Sequence, residues 1–182
     1  AINSSNINDK DFAFTDDLEK AKKLLKDKKY IATTNNKIAA TLVDCLVDCT
    51  GDTETGTKLS LLAIENNVDI VSLNVEMDAT VGPYLKVIAD KKGVIYSGTK
   101  GDEPGAIVEI YEFAKNCGFE VLVLGKGKNN KLDNYAKPED LKEEAIKRGI
   151  NPRMLTSFVD GTNTMIELNS VCNAIGFVPD VR

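Results

Sequence analysis

The stretch LVDCTG at residues 46–51 is followed, one helix length later, by the stretch IVSLNVE at residues 70–76. Each is a short apolar run that ends in polar residues, as expected of a buried strand and the turn after it. The segment between them carries apolar residues at helical spacing, so the three pieces form one β-α-β unit. This unit predicts an α/β protein with a parallel sheet, and such sheets bind ligands at the carboxyl ends of their strands.

The same alternation of helical and extended patterns continues along the rest of the chain. It predicts helices over residues 80–92, 104–117, 138–148 and 163–175, and strands over residues 94–97, 121–124 and 154–159. Pro83 and Pro104 are placed in first helical turns, where a missing N–H costs little. We therefore predict a partial Rossmann-type nucleotide-binding domain over residues 1–97 and an α/β catalytic lobe over residues 98–182, with loose ends at residues 1–11 and 177–182.

A dinucleotide-binding fold carries a Gly-x-Gly-x-x-Gly turn after its first strand, because backbone N–H groups there contact the pyrophosphate. No such turn precedes residues 46–51 in this sequence. We therefore expect the chain to be the C-terminal half of a Rossmann-type sheet, a partial chain that lacks the first β-α-β unit.

Composition narrows the possible functions of the 182 residues. The net charge of -5 argues against a nucleic-acid partner, and no apolar run approaches the length of a membrane span, so a cytoplasmic protein is expected. The four cysteines lie in apolar runs, which predicts buried, reduced thiols. With no histidine and no Cys-x-x-Cys pair in the sequence, no metal ligands are assigned.

Two strand ends offer candidate ligand-binding residues. Thr50 and Gly51 follow the first strand, where a glycine lets a ligand approach the backbone closely, although an ordinary β-α turn would look the same. Asn74 follows the next strand and can bind a carboxamide or a hydroxyl, and Glu76 can act as a base. Asp78 is interpreted as a helix cap.

Two later loops carry the charged candidates. The first places Lys100 beside two carboxylates, Asp102 and Glu103, at the start of a predicted helix. The alternative interpretation is that the carboxylates only stabilise the positive N-terminal end of that helix. The second, GKGKNN at residues 125–130, suits a polyhydroxylated or phosphorylated substrate, or is simply a solvated basic turn. The polar side chains of this loop are Lys126, Lys128, Asn129 and Asn130. A weaker candidate is Asp160, in a predicted turn before the last helix.

These residues together carry a family resemblance that covers about residues 34–182. The motifs VDCT, NVEMD, GDEPG, GKGKNN and NPRM resemble homoserine dehydrogenase-like oxidoreductases, in particular the subgroup with a SAF domain that includes deoxyxylulose-phosphate reductoisomerase-like enzymes. The resemblance implies NAD or NADP as cofactor in the complete parent. It also implies that Cys49, Thr50, Gly51, Asn74 and Glu76 lie on the cofactor side, and that Lys100, Asp102, Glu103, Lys126, Lys128 and Asn129 lie on the substrate side.

The resulting hypothesis is an NAD(P)-dependent oxidoreductase fragment that acts on a small hydroxylated or phosphorylated carbon compound. Lys100 or Lys126 would donate the proton to a carbonyl oxygen, with Asp102 or Glu103 orienting that lysine. One alternative is an inactive, truncated chain that self-associates as a homo-oligomer through bare edges and faces. Another is a metal-assisted lyase or isomerase that uses the oxygen ligands of Glu76, Asp102, Glu103 and Asp160.

Overall fold

The computed structural model describes residues 11–179 and shows a mixed α/β fold with parallel strands, which confirms the predicted class. The predicted loose ends lie largely outside these residues. One sheet pairs β1 (Phe12–Phe14) with β2 (Tyr30–Ala32), and the other has the order β3 (Cys45–Asp48), β4 (Asp69–Ser72), β5 (Tyr96–Gly98). The helices are α1 (Leu18–Lys26), α2 (Asn36–Thr41), α3 (Thr53–Glu65), α4 (Val75–Lys92), α5 (Glu103–Asn116), α6 (Lys142–Arg148), α7 (Pro152–Asp160) and α8 (Thr162–Ile175).

The main apolar core lies between one face of the β3-β4-β5 sheet and the helices that follow its strands. Leu46, Ile70 and Tyr96 stand in register across this face, and Ile70 and Leu85 of α4 are fully buried. The cluster runs from Ala40 to Tyr96 along the chain. Because successive strand residues point to opposite faces of the sheet, packing of this face fixes the register of the strands. The helices that cover this face do not cover the other one.

The opposite face of the same sheet is bare in the described part of the chain. Val47 is 57% exposed, and Cys45 and Ser97 on the same face are exposed as well. Parallel sheets are ordinarily covered on both faces. The four cysteines are free as predicted, but Cys45, Cys49 and Cys117 are exposed rather than buried, because this outer face is uncovered and the loops are open.

Helix α4 begins five residues earlier than predicted, at Val75, and continues through Pro83. The prediction that Pro83 lies in the first turn of this helix was wrong, because Pro83 lies in the helix interior. Proline has no N–H, so the carbonyl of Ala79 one turn earlier loses its intrahelical partner. The side-chain amides of Asn169 and Asn173 in α8 donate to that carbonyl at 3.1 and 3.2 Å, which compensates for the missing bond.

The two strands predicted beyond β5 are absent, and one helix is shorter than predicted. Residues 121–124 form neither helix nor strand, because no described strand lies beside them to pair with their backbone. Residues 154–159 belong to α7, since Asn151 caps a helix that opens with Pro152. Helix α6 starts at Lys142 and ends as predicted at Gly149, because residues 137–140 close into a hydrogen-bonded turn first.

The described residues after β5 therefore contribute helices and loops only. Helix α8 packs against both α4 and α5, so this part contacts the segment assigned to the first domain. The predicted boundary between residues 97 and 98 stays a prediction.

Candidate functional site

A cleft of about 1380 Å³ lies between the turns that follow β3 and β4 and the loops and helices after α5. One wall comes from residues 49–54, 73, 75 and 76, and the other from residues 126–130, 136–138 and the helices α7 and α8. Eleven of the thirteen residues predicted for the site line this cleft: Cys49, Thr50, Gly51, Glu76, Asp102, Glu103, Lys126, Lys128, Asn129, Asn130 and Asp160.

The two remaining candidates lie elsewhere. The Lys100 side chain is 82% exposed, forms an ion pair with Glu109 at 3.1 Å, and lines a separate cavity of about 630 Å³. Asn74 is fully buried beneath the cleft. Of the two lysines considered as proton donors, only Lys126 faces the cleft.

Asn74 links the strand ends on the first wall. Its Nδ2 donates to Asp48 Oδ2 at 3.0 Å, to Thr50 Oγ1 at 3.0 Å and to the Asp52 carbonyl at 2.9 Å. Its Oδ1 accepts from the Met77 N–H at 3.1 Å, so Asn74 is also the N-cap of α4. With both amide groups occupied, Asn74 holds the turn that a ligand would contact rather than contacting the ligand.

Two positions next to this hydrogen-bond network require glycine. Gly51 has a φ of 61°, a left-handed conformation that turns the chain after β3 with no side chain over the cleft. A Cβ on Gly56 of α3 would lie 2.4 Å from Asp48 Oδ2 and from Asn74 Nδ2, so α3 can pack here only without a side chain.

Asp78 is not the predicted helix cap: it lies inside α4 and accepts from the Tyr96 hydroxyl at 3.0 Å and from Ser170.

On the second wall, Lys126 lies between two carboxylates. Its Nζ is 3.3 Å from Glu103 Oε1 and also pairs with Glu167 Oε2, and the lysine side chain is only 16% exposed. Burial lowers the pKa of Lys126, but the hydrogen bond and charge of Glu167, supported by Glu103, outweigh it and raise the pKa above its ordinary value. Lys126 is therefore held as a cation at neutral pH.

The neighbouring carboxyls Asp102 and Glu103 have opposite shifts. Partial burial raises the pKa of Asp102, and its hydrogen bond with Glu103 adds to the rise. The hydrogen bond from Asp102 lowers the pKa of Glu103 against the opposing effect of burial, and Lys126 lowers it further. Asp102 precedes α5 at the N-cap position without a side-chain cap bond. Of the pair, Asp102 is the carboxyl better suited to carry a proton.

Three further cations line the second wall, namely Lys128, Lys137 and Arg153. Lys128 donates to the carbonyl of Phe158. Among residues 11–179, none of the three forms an ion pair with a carboxylate. They leave positive charge free for an anionic group in an otherwise acidic protein.

The sequence prediction missed Glu167, Lys137 and Arg153 as site residues. Arg153 stood in a quoted motif without a role, and Glu167 lay in a helix interpreted as packing. A charged residue between the apolar Ile166 and Leu168 was the available signal, since glutamate is almost never buried unless it is paired. Asp160, predicted to lie in a turn, is instead the last residue of α7, and its carboxylate accepts from the Thr162 N–H at 2.8 Å.

Two negative findings concern the described residues. In that part of the chain no three histidine, cysteine or acidic side chains lie close enough to hold a metal ion together, so the metal-assisted alternative gains no geometric support. None of its helices has the length and apolar character needed to cross a membrane.

Comparison with known proteins adds one match. Residues 101–182 match the family model described as oxidoreductase DRL, catalytic domain, a segment that contains Lys126, Glu167 and the three unpaired cations. No curated protein matches the chain. The finer homoserine dehydrogenase-like assignment is not confirmed by this match. The segment that forms the charged wall of the cleft is thus similar to an oxidoreductase catalytic domain.

Proposed function

We propose that the chain forms the nicotinamide-facing and substrate-binding part of an NAD(P)-dependent oxidoreductase, related to homoserine dehydrogenase, for a small hydroxylated or phosphorylated carbon compound. The observation that supports it best is that the turn after β3 and Lys126, which is paired with Glu167, lie on opposite walls of one cleft. At about 1380 Å³ the cleft exceeds the roughly 300–1,000 Å³ of a small-ligand site, which leaves room for part of a cofactor beside a substrate.

The residues present fit the nicotinamide half of the cofactor better than the adenosine half. The open backbone of Gly51 leaves room for a nicotinamide ring at the cleft, beside Thr50, whose hydroxyl is itself bonded to Asp48 and Asn74. By contrast, β1 is followed by Thr15 and Asp16, and the Asp16 carboxylate accepts from Thr33, Thr34 and Asn35. An acidic loop of this kind repels a pyrophosphate. When bound, the cofactor would supply the hydride chemistry.

On the substrate side, the Lys126 ammonium would stabilise negative charge on the substrate oxygen. Its raised pKa makes it a better charge stabiliser than proton donor, so the proton would come from Asp102. Lys128, Lys137 and Arg153 would bind a phosphate or carboxylate of the substrate, and Asn129 and Asn130 its hydroxyls.

Cofactor binding is tested with a pair of matched glycine variants. Asparagine tolerates a positive φ, and neither Gly51 nor Gly93, whose φ is 74°, has an atom within 4 Å of an added Cβ. In fluorescence titrations with NADH and NADPH, Gly51→Asn should weaken binding about tenfold or more, a cost of about 1.4 kcal/mol, while Gly93→Asn at the far end of α4 should not.

Reduced nicotinamide mononucleotide should bind about as tightly as NADH, because the adenosine half lacks a binding turn in the described residues. Absence of binding by the wild-type chain, or equal binding by both glycine variants, would refute the cofactor proposal.

Turnover is tested by following nicotinamide absorbance with small hydroxy acids and phosphorylated hydroxy compounds. Lys126→Gln should abolish any activity found, whereas Lys100→Gln removes an equal charge outside the cleft and should leave it unchanged. Equal activity of Lys126→Gln and wild type would remove Lys126 from the mechanism.

A second candidate function is self-association without catalysis. It is favoured by the bare sheet face, on which Val47 is 57% exposed, and by Ile95, which is 62% exposed just before β5. Sedimentation analysis should then show a homo-oligomer that Val47→Lys dissociates, with no nicotinamide binding. A monomer at all concentrations would exclude this candidate.

A further inference from the structure

The segment that carries Lys126 has no regular backbone support. Residues 119–129 form neither helix nor strand, and Leu122 and Val123 within them are 77% and 79% exposed. A backbone without ladder hydrogen bonds or buried side chains is not held in place by itself. The position of the Lys126 ammonium therefore depends on what its own side chain contacts.

The stronger of those contacts is Glu167. The Glu167 side chain is 5% exposed, and both of its oxygens are occupied: Oε1 accepts from Asn163 Nδ2 at 2.7 Å, and Oε2 pairs with Lys126. Glu103, the other partner of Lys126, is 54% exposed, so water competes with that contact. Asn163 lies one turn before Glu167 on α8 and fixes the orientation of its carboxylate.

Helix α8 is in turn anchored to α4 at the site of the proline. Asn169 and Asn173 donate to the Ala79 carbonyl that Pro83 leaves without an intrahelical partner, and Ser170 donates to Asp78. These contacts begin two residues after Glu167. They tie the carboxylate that pairs with Lys126 to the helix that starts on the opposite wall of the cleft.

We infer that Glu167, oriented by Asn163, is a positioning residue that holds the Lys126 ammonium in an ion pair and directs it into the cleft. This inference rests on the proposed role of Lys126 in the oxidoreductase. Glu167 acts through Lys126 and does not itself contact substrate. The raised pKa of Lys126, to which Glu167 contributes more than Glu103, agrees with the geometry.

The test measures the chemical reactivity of Lys126, which needs neither cofactor nor substrate. The full chain is treated with acetic anhydride under competitive conditions at neutral pH, and the rate at each lysine is read by peptide mass spectrometry. Only the unprotonated amine reacts, so each unit of pKa changes the rate tenfold. Because an adjacent opposite charge shifts a pKa by about one to three units, Glu167→Gln should raise the rate at Lys126 about tenfold or more.

Glu109→Gln is the matched control, since it removes the same charge from the exposed Lys100 pair outside the cleft. It should leave Lys126 unchanged. An unchanged rate at Lys126 in a folded Glu167→Gln protein would overturn the inference, and so would an equal rise in both variants.

If Glu167→Gln does not fold, Asn163→Ala carries the test. It keeps the charge of Glu167 but releases its Oε1, and it should raise the Lys126 rate several-fold. No change would overturn the inference. Failure of the proposed function is separate: it shows as a wild-type chain that binds no NADH or NADPH, whatever the reactivity of Lys126.

Discussion

The two parts of the chain, residues 11–98 and residues 99–179, are stabilised in different ways. The principal apolar cluster lies entirely in the first part, between Ala40 and Tyr96. In the second part, α5 has no buried residue. The buried apolar side chains among residues 99–179 are Ala145, Leu155 and Val171. The second part is instead tied down by polar contacts such as Asn169 to Ala79.

This difference indicates how the site is built. The first part contributes rigid strand ends, with Asn74 locking the turn after β3. The second part contributes most of the charged cleft residues, on loops and helices with few buried apolar contacts. Regions of that kind open at lower free-energy cost than a packed core, so we expect the charged wall to adapt to a ligand while the first wall stays fixed.

The largest effect is expected from truncation in the first core. Ile70→Ala should lower the free energy of unfolding by about 2–5 kcal/mol, because Ile70 is fully buried on the central strand. Chemical denaturation measures the loss. Ile146→Ala in α6, where the side chain is 67% exposed, should change stability by less than about 0.5 kcal/mol. Similar losses in both variants would contradict the contrast between the two parts.

A smaller loss is expected from Asn74→Ala, which leaves the buried Asp48 carboxylate without the Asn74 amide. The cost should be about 1–3 kcal/mol in denaturant unfolding. Asn169→Ala in α8 should cost less, because Asn173 still donates to Ala79. A larger loss for Asn169→Ala than for Asn74→Ala would show that the α4–α8 contact, and not the strand-end network, is the stronger tie.

A pH-dependent effect is expected at Asp102. Its pKa is raised in the folded state, so its ionisation destabilises the fold as pH rises through that pKa, and the penalty is absent below the unfolded value of about 3.9. Asp102→Asn should therefore be more stable than wild type at pH 7, by less than about 1 kcal/mol because solvent screens the partly exposed group. Thermal unfolding across pH should show the gain vanishing towards pH 4.

Asp90→Asn serves as the control for that experiment, since Asp90 is an exposed partner of Lys86 on α4. It should show no gain at pH 7. A constant difference between Asp102→Asn and wild type at every pH would contradict the assigned shift.

The smallest effect is expected from Leu122→Thr. Because Leu122 is 77% exposed and lies in no strand, the free energy of unfolding should change by less than about 0.5 kcal/mol. Denaturant unfolding of this variant against wild type measures the change. A loss above about 1 kcal/mol would indicate that the segment packs as the buried strand that its apolar sequence predicted.

The sequence was most informative where neighbouring residues decide the structure. The spacing of apolar residues located β3, α3 and β4 closely, and Pro104 and Gly149 located a helix start and a helix end. The polar strand ends also indicated the cleft, because the carboxyl ends of parallel strands share one edge of a sheet. Periodicity, proline and glycine act within a few residues, so they can be interpreted without the rest of the chain.

Other features depended on partners far along the chain. Helix α4 passes through Pro83 because donors some ninety residues away satisfy Ala79, and an apolar run at residues 121–124 forms no strand because no neighbour pairs with it. Glu167 is a paired cleft residue only because α8 docks against α4 beside Lys126. The sequence by itself determined the α/β class and the polar residues at the strand ends. Tertiary structure decided which charges meet, because hydrogen bonds and ion pairs depend on distances that packing alone sets.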